Sequence, residues 1–256
     1  MSHYVDLNSD LGESFGNYTL GMDSEVLNHV TSANVACGWH AGDPLIMDAT
    51  VHMCKEKGVA VGAHPGYPDL MGFGRRAMAV NPAEAKAYMI YQVGALQAFC
   101  DSYGVTLQHM KLHGAFYNTA CVTPALADAV LDGLQAVNPN IAAMVLSGSY
   151  IAKEAERQGI PVIQEVFADR GYTDEGTLVP RTEPGAFIKD PQEALERVLM
   201  MVTEGKVVTN TGNTIDIVAD SVCVHGDNPE AIAFTNYIRE GLTKAGVTVA
   251  NFQNRK

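Results

Sequence analysis

Residues 32–66, SANVACGWHAGDPLIMDATVHMCKEKGVAVGAHPG, decide the fold. The segment opens on a β-rich run, SANVAC, that ends at His40-Ala-Gly42. Asp43-Pro44 comes next; Asp accepts hydrogen bonds from the orphan amides of a helix start, and Pro suits the first helical position. Helical periodicity then places Leu45, Ala49 and Met53 on one face. Gly58 falls where that helix should end, and a second β-rich run, VAVGA, ends at His64-Pro-Gly66. Strand, helix, strand in that order is a right-handed βαβ unit, with its two strands parallel in one sheet.

Both devices recur along the chain. The cap–proline pair returns at Asn81-Pro82, Thr123-Pro124, Asp190-Pro191 and Asn228-Pro229, and Glu84 and Glu193 stand where a capping box places them. Each start opens a helical stripe: Met89, Val93 and Leu96; Leu126, Val130 and Leu134; Leu195, Val198 and Val202; Phe234, Ile238 and Leu242. Gly104, Gly205 and Gly246 mark the helix ends. Between the helices, β-rich runs occupy 3–8, 31–37, 59–64, 108–113, 141–146, 161–167 and 220–225. Seven strand–helix repeats without a Gly-rich dinucleotide fingerprint favour an α/β fold of the irregular seven-stranded (β/α) barrel kind over a doubly wound sheet. Residues 170–190 and 206–219 break the rhythm and read as an excursion with a small hairpin turning at Thr211-Gly212-Asn213. Neither linker nor low-complexity segment interrupts the chain, so 1–256 reads as a single domain.

Composition narrows the function classes. The chain has 256 residues, 47% of them hydrophobic, and a formal net charge of −12 with no Lys/Arg run, which argues against nucleic acid and membrane surfaces as partners. The five cysteines form no CxxC pair and their number is odd, as expected of reduced thiols in a cytoplasmic protein. Cys37 and Cys223 lie near two of the strand-end histidines, where packing as a small hydrophobe is favoured over a nucleophilic role. The start MSHYVDLNSD lacks the features of a signal peptide, and no apolar run reaches the ~20 residues that span a bilayer.

Four of the eight histidines sit where a β-rich run stops beside a glycine: His40, His64, His113 and His225. Barrel enzymes place their chemistry at the C-terminal ends of the strands, and imidazole titrates near neutral pH and ligates metals. Alternation puts Asp6 and Asn8 on one face, with Asp10 just beyond, and Lys111 with His113. Glu165 shares a face with Asp169 if its strand runs that far. Asp6, Lys111 and Glu165 on a common interior would neutralise one another, either as a buried salt-bridge network or as part of a site. Asp10-Leu-Gly-Glu13 brings two carboxylates around a turn, and Arg170 could clamp a carboxylate or phosphate, as could Arg75, Arg76 or Arg181. Trp39 could wall a pocket or simply pack. His3, His29, His52 and His109 read as structural; His109 stands at the start of its strand, the wrong end for chemistry.

The segments VDLNSDLGESFG, SANVACGWHAGD, VAVGAHPGYPD, GFGRR, HMKLHGAFYN, EVFADRGYTDEGTLVPR and VCVHGDN together resemble the LamB/YcsF family from about residue 4 to 250. Lys111-Leu112-His113-Gly114 stands where many members carry Lys-Pro-His-Gly, and Trp39 where Phe is common. The resemblance implies a barrel of the glycoside hydrolase/deacetylase type. It also implies the A subunit of a bacterial 5-oxoprolinase, which opens the lactam of 5-oxo-L-proline to L-glutamate with ATP and needs subunits B and C. A five-membered lactam is a poor electrophile, and phosphorylating its oxygen would open the carbon to water activated by a general base. On this reading Asp10, His40 and His64 form the acid/base cluster, and hold a divalent metal if one is present. Lys111 stabilises developing negative charge, and Arg170 takes a carboxylate or phosphate. Asn8, Glu13, His113, Glu165, Asp169, His225 and Asp227 complete the substrate wall. Two other readings stand beside it: a metal-dependent deacetylase or amidohydrolase, which the lack of a compact HxxxH pair weakens, and a noncatalytic carrier, which so many ionisable groups argue against.

Overall fold

A computed structural model describes residues 3–254. In chain order the strands are β1 (Tyr4–Leu11), β2 (Ser32–Ala36), β3 (Ala60–His64), β4 (Leu107–Met110), β5 (Ala142–Leu146), β6 (Val162–Phe167), β7 (Lys206–Val208), β8 (Thr214–Asp216), β9 (Ser221–Cys223) and β10 (Thr248–Val249). Strands β1 to β6 pair in sequence, all parallel, and β9 joins β6 to β1, which closes a seven-stranded barrel. Strand β10 extends the sheet beside Tyr4 and Val5. The hairpin β7–β8 is antiparallel and turns through 209–213, where the excursion was expected to turn.

The helices are α1 (Asp23–Val26), α2 (Pro44–Lys57), α3 (Pro82–Tyr103), α4 (Gly114–Val122), α5 (Pro124–Val137), α6 (Tyr150–Gln158), α7 (Pro191–Glu204) and α8 (Pro229–Lys244). Four of the five proline-led helices start on a side-chain cap, from Asp43, Asn81, Asp190 and Asn228, and Asn81 with Glu84 forms a full capping box. Thr123 departs from expectation and makes no side-chain cap. It is the junction at which α4 turns by 115° into α5, and its amide donates back to Thr119 O at 3.0 Å.

The apolar stripes face the barrel. Met89, Val93 and Leu96 of α3, and Val130 and Leu134 of α5, are fully buried, each contributing about 1.5–3 kcal/mol of transfer free energy. The stripe expected on α2 is a correction. Leu45 is 80% exposed, while Met47, Thr50, Val51 and Cys54 are buried. This helix carries apolar residues on two sides, and the stripe that packs is offset by two residues, about 200° around the axis. No single helix among the described residues is long and apolar enough to cross a membrane.

The barrel interior is largely polar. The register of β3 on β4 shifts between Val61 and Gly62, so Gln108 is an extra residue in β4. Both Gln108 and His109 then reach β2: Ser32 Oγ donates to Gln108 Oε1 at 3.3 Å, and His109 Nε2 donates to Asn34 Oδ1 at 2.7 Å. His109 occupies the space that Gly62 leaves empty, since a Cβ at position 62 would lie 2.1 Å from His109 Nε2. Asp6 accepts hydroxyls from Thr31, Ser32 and Ser221. Below β5 and β6 the interior is apolar instead, a small cluster of Ala142, Met144 and Ile163 packed against Phe252.

Candidate active site

Strand β1 runs three residues beyond its expected end, which carries Asp10 along the same inward-facing row as Asp6 and Asn8. Strand β4 stops early, at Met110. Lys111 and His113 therefore lie just past a strand end, where their amides donate to Ala63 O at 2.9 Å and Pro65 O at 2.8 Å. His113 is also the extended residue that immediately precedes α4. These side chains converge on a cavity of about 460 Å³, lined among others by Asp10, Glu13, His64, Lys111, His113 and Tyr117.

Lys111 is the hub. Its Nζ stands 2.7 Å from Glu165 Oε1 and 3.1 Å from Asp10 Oδ1, and it donates to Asn8 Oδ1 at 3.2 Å and Cys223 Sγ at 3.2 Å. Tyr117 OH donates to the other Glu165 oxygen at 2.8 Å. Burial opposes the ammonium, yet Asp10, Cys223 and Glu165 hold the lysine well above its ordinary pKa. Two carboxylates and one cation share this space, so removing the cation leaves buried charge uncompensated.

Asp10 and Glu13 are tuned in opposite directions. Burial favours protonation of Asp10, but His64 and Lys111 outweigh it and hold the carboxyl well below the usual range. Burial and the neighbouring Asp10 and Asp227 push Glu13 well above its usual value. Two carboxylates driven apart in this way are the signature of distinct protonation roles. His64 Nε2 lies 3.2 Å from Asp10 Oδ2, and His40 Nε2 lies 3.2 Å from Glu13 Oε1. Burial, then the neighbouring His64, lowers His113 to about 3; burial, then His113 and His64, lowers His40 as well.

The expected site residues divide into two groups. Asp10, Glu13, His64, Lys111, His113, Arg170, His225 and Asp227 line the cavity. Asn8, Glu165, Asp169 and His40 stand behind them. Asn8 and Glu165 are fully buried partners of Lys111. Asp169 lies 3.0 Å from His225 Nδ1 and, against the cost of burial, raises the pKa of that imidazole. Strand β6 ends at Phe167, so Asp169 reaches the site from the following loop and not from the Glu165 row. His40 is wholly buried and stacks on His113, ring centroids 3.7 Å apart and 5° from parallel.

Arg170 is placed differently from a free clamp. Its Nε donates to Ala186 O at 2.9 Å and its Nη2 to Val179 O at 2.6 Å, so the guanidinium braces the excursion that forms one cavity wall. Arg76 pairs with Asp69 and is not among the cavity residues. Arg75 and Arg181 do line the cavity, and each lies over an aromatic ring, Phe73 at 5.0 Å and Phe187 at 5.2 Å. Trp39 stacks on Tyr91 and meets Tyr88 edge-on, packing against α3 and away from the cavity. Cys37 is buried with its thiol pushed up to about 12, chiefly by burial, as a packing role requires. Tyr117 is a site residue that sequence reasoning misses; its one signal is its place four residues after His113, which α4 turns back over Glu165.

Comparison with known proteins agrees with this architecture. The A subunit of a 5-oxoprolinase from Fusobacterium nucleatum is 61% identical over 249 residues, covering 97% of each chain. Its counterpart from Pyrococcus horikoshii is 55% identical, covering 96% of each. The crystal structure of a lactam utilization protein from Thermus thermophilus superposes with a TM-score of 0.92 at 45% identity, covering 97% of this chain and 100% of that one. A putative cellobiose-phosphate cleavage protein from Enterococcus faecalis, 13% identical with a TM-score of 0.57, shares the fold alone. The LamB/YcsF family model matches residues 5–256, and the chain belongs to the LamB/YcsF family.

Proposed function

We propose that this chain is the A subunit of an ATP-dependent 5-oxoprolinase, working in the cytoplasm with subunits B and C. The relatives named as 5-oxoprolinase A subunits, together with the lactam utilization protein, support the reading. The observation that carries it is the presence in one cavity of a carboxyl held well above its usual pKa, Glu13, and a lysine held charged by its neighbours, Lys111.

The chemistry follows in balanced steps. The γ-phosphoryl group of ATP passes to the lactam oxygen and ADP leaves. Glu13 takes a proton from water as the water adds to the activated carbon, then returns a proton to the ring nitrogen as the C–N bond breaks. A second water cleaves the resulting acyl phosphate, giving L-glutamate and phosphate. A carboxyl group raised above its usual range holds and gives up a proton more readily in both directions than an ordinary carboxylate, a contribution of about 10²–10⁴-fold. Lys111 faces the developing negative charge, with Asp10 and Glu165 fixing its position. Arg75 and Arg181 bind the substrate carboxylate and the phosphate, because Arg170 is committed to backbone carbonyls. His225 and Asp227 close the wall.

The test is ATP-dependent glutamate release from 5-oxo-L-proline, by this chain alone and with subunits B and C. Release is expected only from the assembled enzyme. Unchanged turnover with Glu13→Gln and Lys111→Met variants in the assembly would sink the assignment.

A further inference from the structure

Two backbone carbonyls fix the tautomers of His64 and His113. Lys111 O accepts from His64 Nδ1 at 2.8 Å, and Phe73 O accepts from His113 Nε2 at 2.8 Å. A carbonyl can only accept, so those nitrogens carry the ring protons. When both rings are neutral, the other two nitrogens, His64 Nε2 and His113 Nδ1, face each other 2.9 Å apart, both with lone pairs. Two lone pairs at that distance repel unless a proton or a metal ion lies between them. Asp10 Oδ2 adds a third donor atom, 3.2 Å from His64 Nε2. The other Asp10 oxygen is already occupied, accepting from Asn34 Nδ2 at 2.8 Å and Lys111 Nζ at 3.1 Å.

The spacing about His64 suits a metal ion. Ligand atoms about 2.1 Å from one ion, at angles between octahedral and tetrahedral, stand ~3.0–3.4 Å apart. The two edges that meet at His64 are 2.9 and 3.2 Å; Asp10 Oδ2 and His113 Nδ1 stand farther apart than either, so a shared ion has to draw those two ligands together. An imidazole whose second nitrogen donates to a carbonyl is also the usual outer support of a metal-bound histidine.

We propose that Asp10 Oδ2, His64 Nε2 and His113 Nδ1 bind one divalent first-row transition metal ion at the mouth of the barrel. Two imidazoles and one carboxylate suit ions such as Zn²⁺, Co²⁺ or Mn²⁺. Three protein ligands leave coordination positions open, and all three residues line the cavity, so the open side faces substrate space. Such an ion would supply a Lewis acid to a polar group bound in that space. The set differs from the Asp10, His40 and His64 trio expected from the sequence. His40 stacks in parallel on His113 at 3.7 Å, so an ion in the plane of one ring lies out of the plane of the other. His40 instead holds Glu13, which stands 3.6 Å from His113 Nδ1.

The site stands apart from the substrate assignment, and its test needs no substrate. The full-length chain is stripped with chelator, dialysed, and titrated with Co²⁺ and Zn²⁺, following heat, bound metal and the visible d–d absorption of Co²⁺. One equivalent per chain is expected, with nitrogen-rich d–d bands. His64→Gln, His113→Gln and Asp10→Asn should each weaken binding by at least ~100-fold, whereas His40→Gln should keep one equivalent. Circular dichroism confirms that each variant compared is folded, and three independent ligand variants guard against one that fails to fold. Absence of binding by the folded wild type, or equal binding by all three ligand variants, overturns the proposal. So does nitrogen NMR showing one proton held between His64 and His113 in protein saturated with Zn²⁺. One bound equivalent without 5-oxoproline turnover in the assembled enzyme supports the metal site and refutes only the substrate assignment.

Discussion

Two aspartates on one strand, Asp6 and Asp10, sit at opposite ends of the same barrel interior. Asp6 is sealed in, and the hydroxyls of Thr31, Ser32 and Ser221 all donate to it. Asp10 is met by an amide, an ammonium and an imidazole, and part of it faces the cavity. Hydroxyls can rotate to satisfy a buried carboxylate, and once they have done so it has nothing left to offer a ligand. Fixed charges and locked imidazoles cannot rotate away, so they keep donor atoms directed at the cavity. A polar core and an open cavity can thus share a strand, separated by the kind of partner each carboxylate has.

The difference can be tested by breaking each end in turn. Lys111→Met should give the largest effect, lowering turnover of the assembled enzyme by at least ~10³-fold in steady-state assays. It should also cost about 3–5 kcal/mol in urea unfolding, because Asp10 and Glu165 lose their shared cation. Adding Glu165→Gln should restore part of that stability and none of the activity. Glu13→Gln should lower kcat by about 10²–10³-fold with little change in KM, if its role is proton transfer. Arg75→Gln and Arg181→Gln should each raise KM for 5-oxo-L-proline about tenfold. Turnover of 2-pyrrolidinone, which lacks the carboxylate, should be insensitive to whichever arginine holds that group.

At the closed end, Asp6→Asn should leave kcat within about twofold while costing roughly 1–3 kcal/mol of stability, since an amide N–H would meet hydroxyls arranged to donate. The smallest effect is a pH dependence. Burial, then Lys111, lowers His109 to about 3, whereas the unfolded side chain titrates near ~6.5. The unfolded chain therefore gains the proton first, so this contribution is complete above pH ~6.5 and declines as pH falls toward 3. Between pH 8 and 6 the loss from this residue is just under about 1 kcal/mol. Urea midpoints should show a shallower slope in His109→Gln than in the wild type.

Signals confined to a few neighbouring residues are readable from the sequence, and those set by distant backbone are not. Cap–proline starts and histidine–glycine strand ends place the barrel and the mouth residues His64 and His113, because such signals act within a few residues. The true length of β1 is hidden, since Ser9 and Asp10 look like loop residues until they pair with Ala33 and Asn34 of β2. His109 reads as the wrong end of a strand, yet it belongs to that interior through the extra residue at Gln108. Arg170 looks like a clamp because nothing nearby reveals that the carbonyls of Val179 and Ala186 will close on its guanidinium. His40 has the same local pattern as His64, and only the stacked ring of His113 tells them apart.

The empty place at Gly62 ties two positions into a single evolutionary unit. An alanine there would drive His109 off Asn34, and Asn34 in turn orients both Asn8 and Asp10. A lineage that gained a side chain at 62 could keep Asp10 aligned only by shrinking residue 109 in the same step. The two substitutions should therefore be harmful singly and tolerated together, a reciprocal epistasis that paired libraries at these two positions would expose.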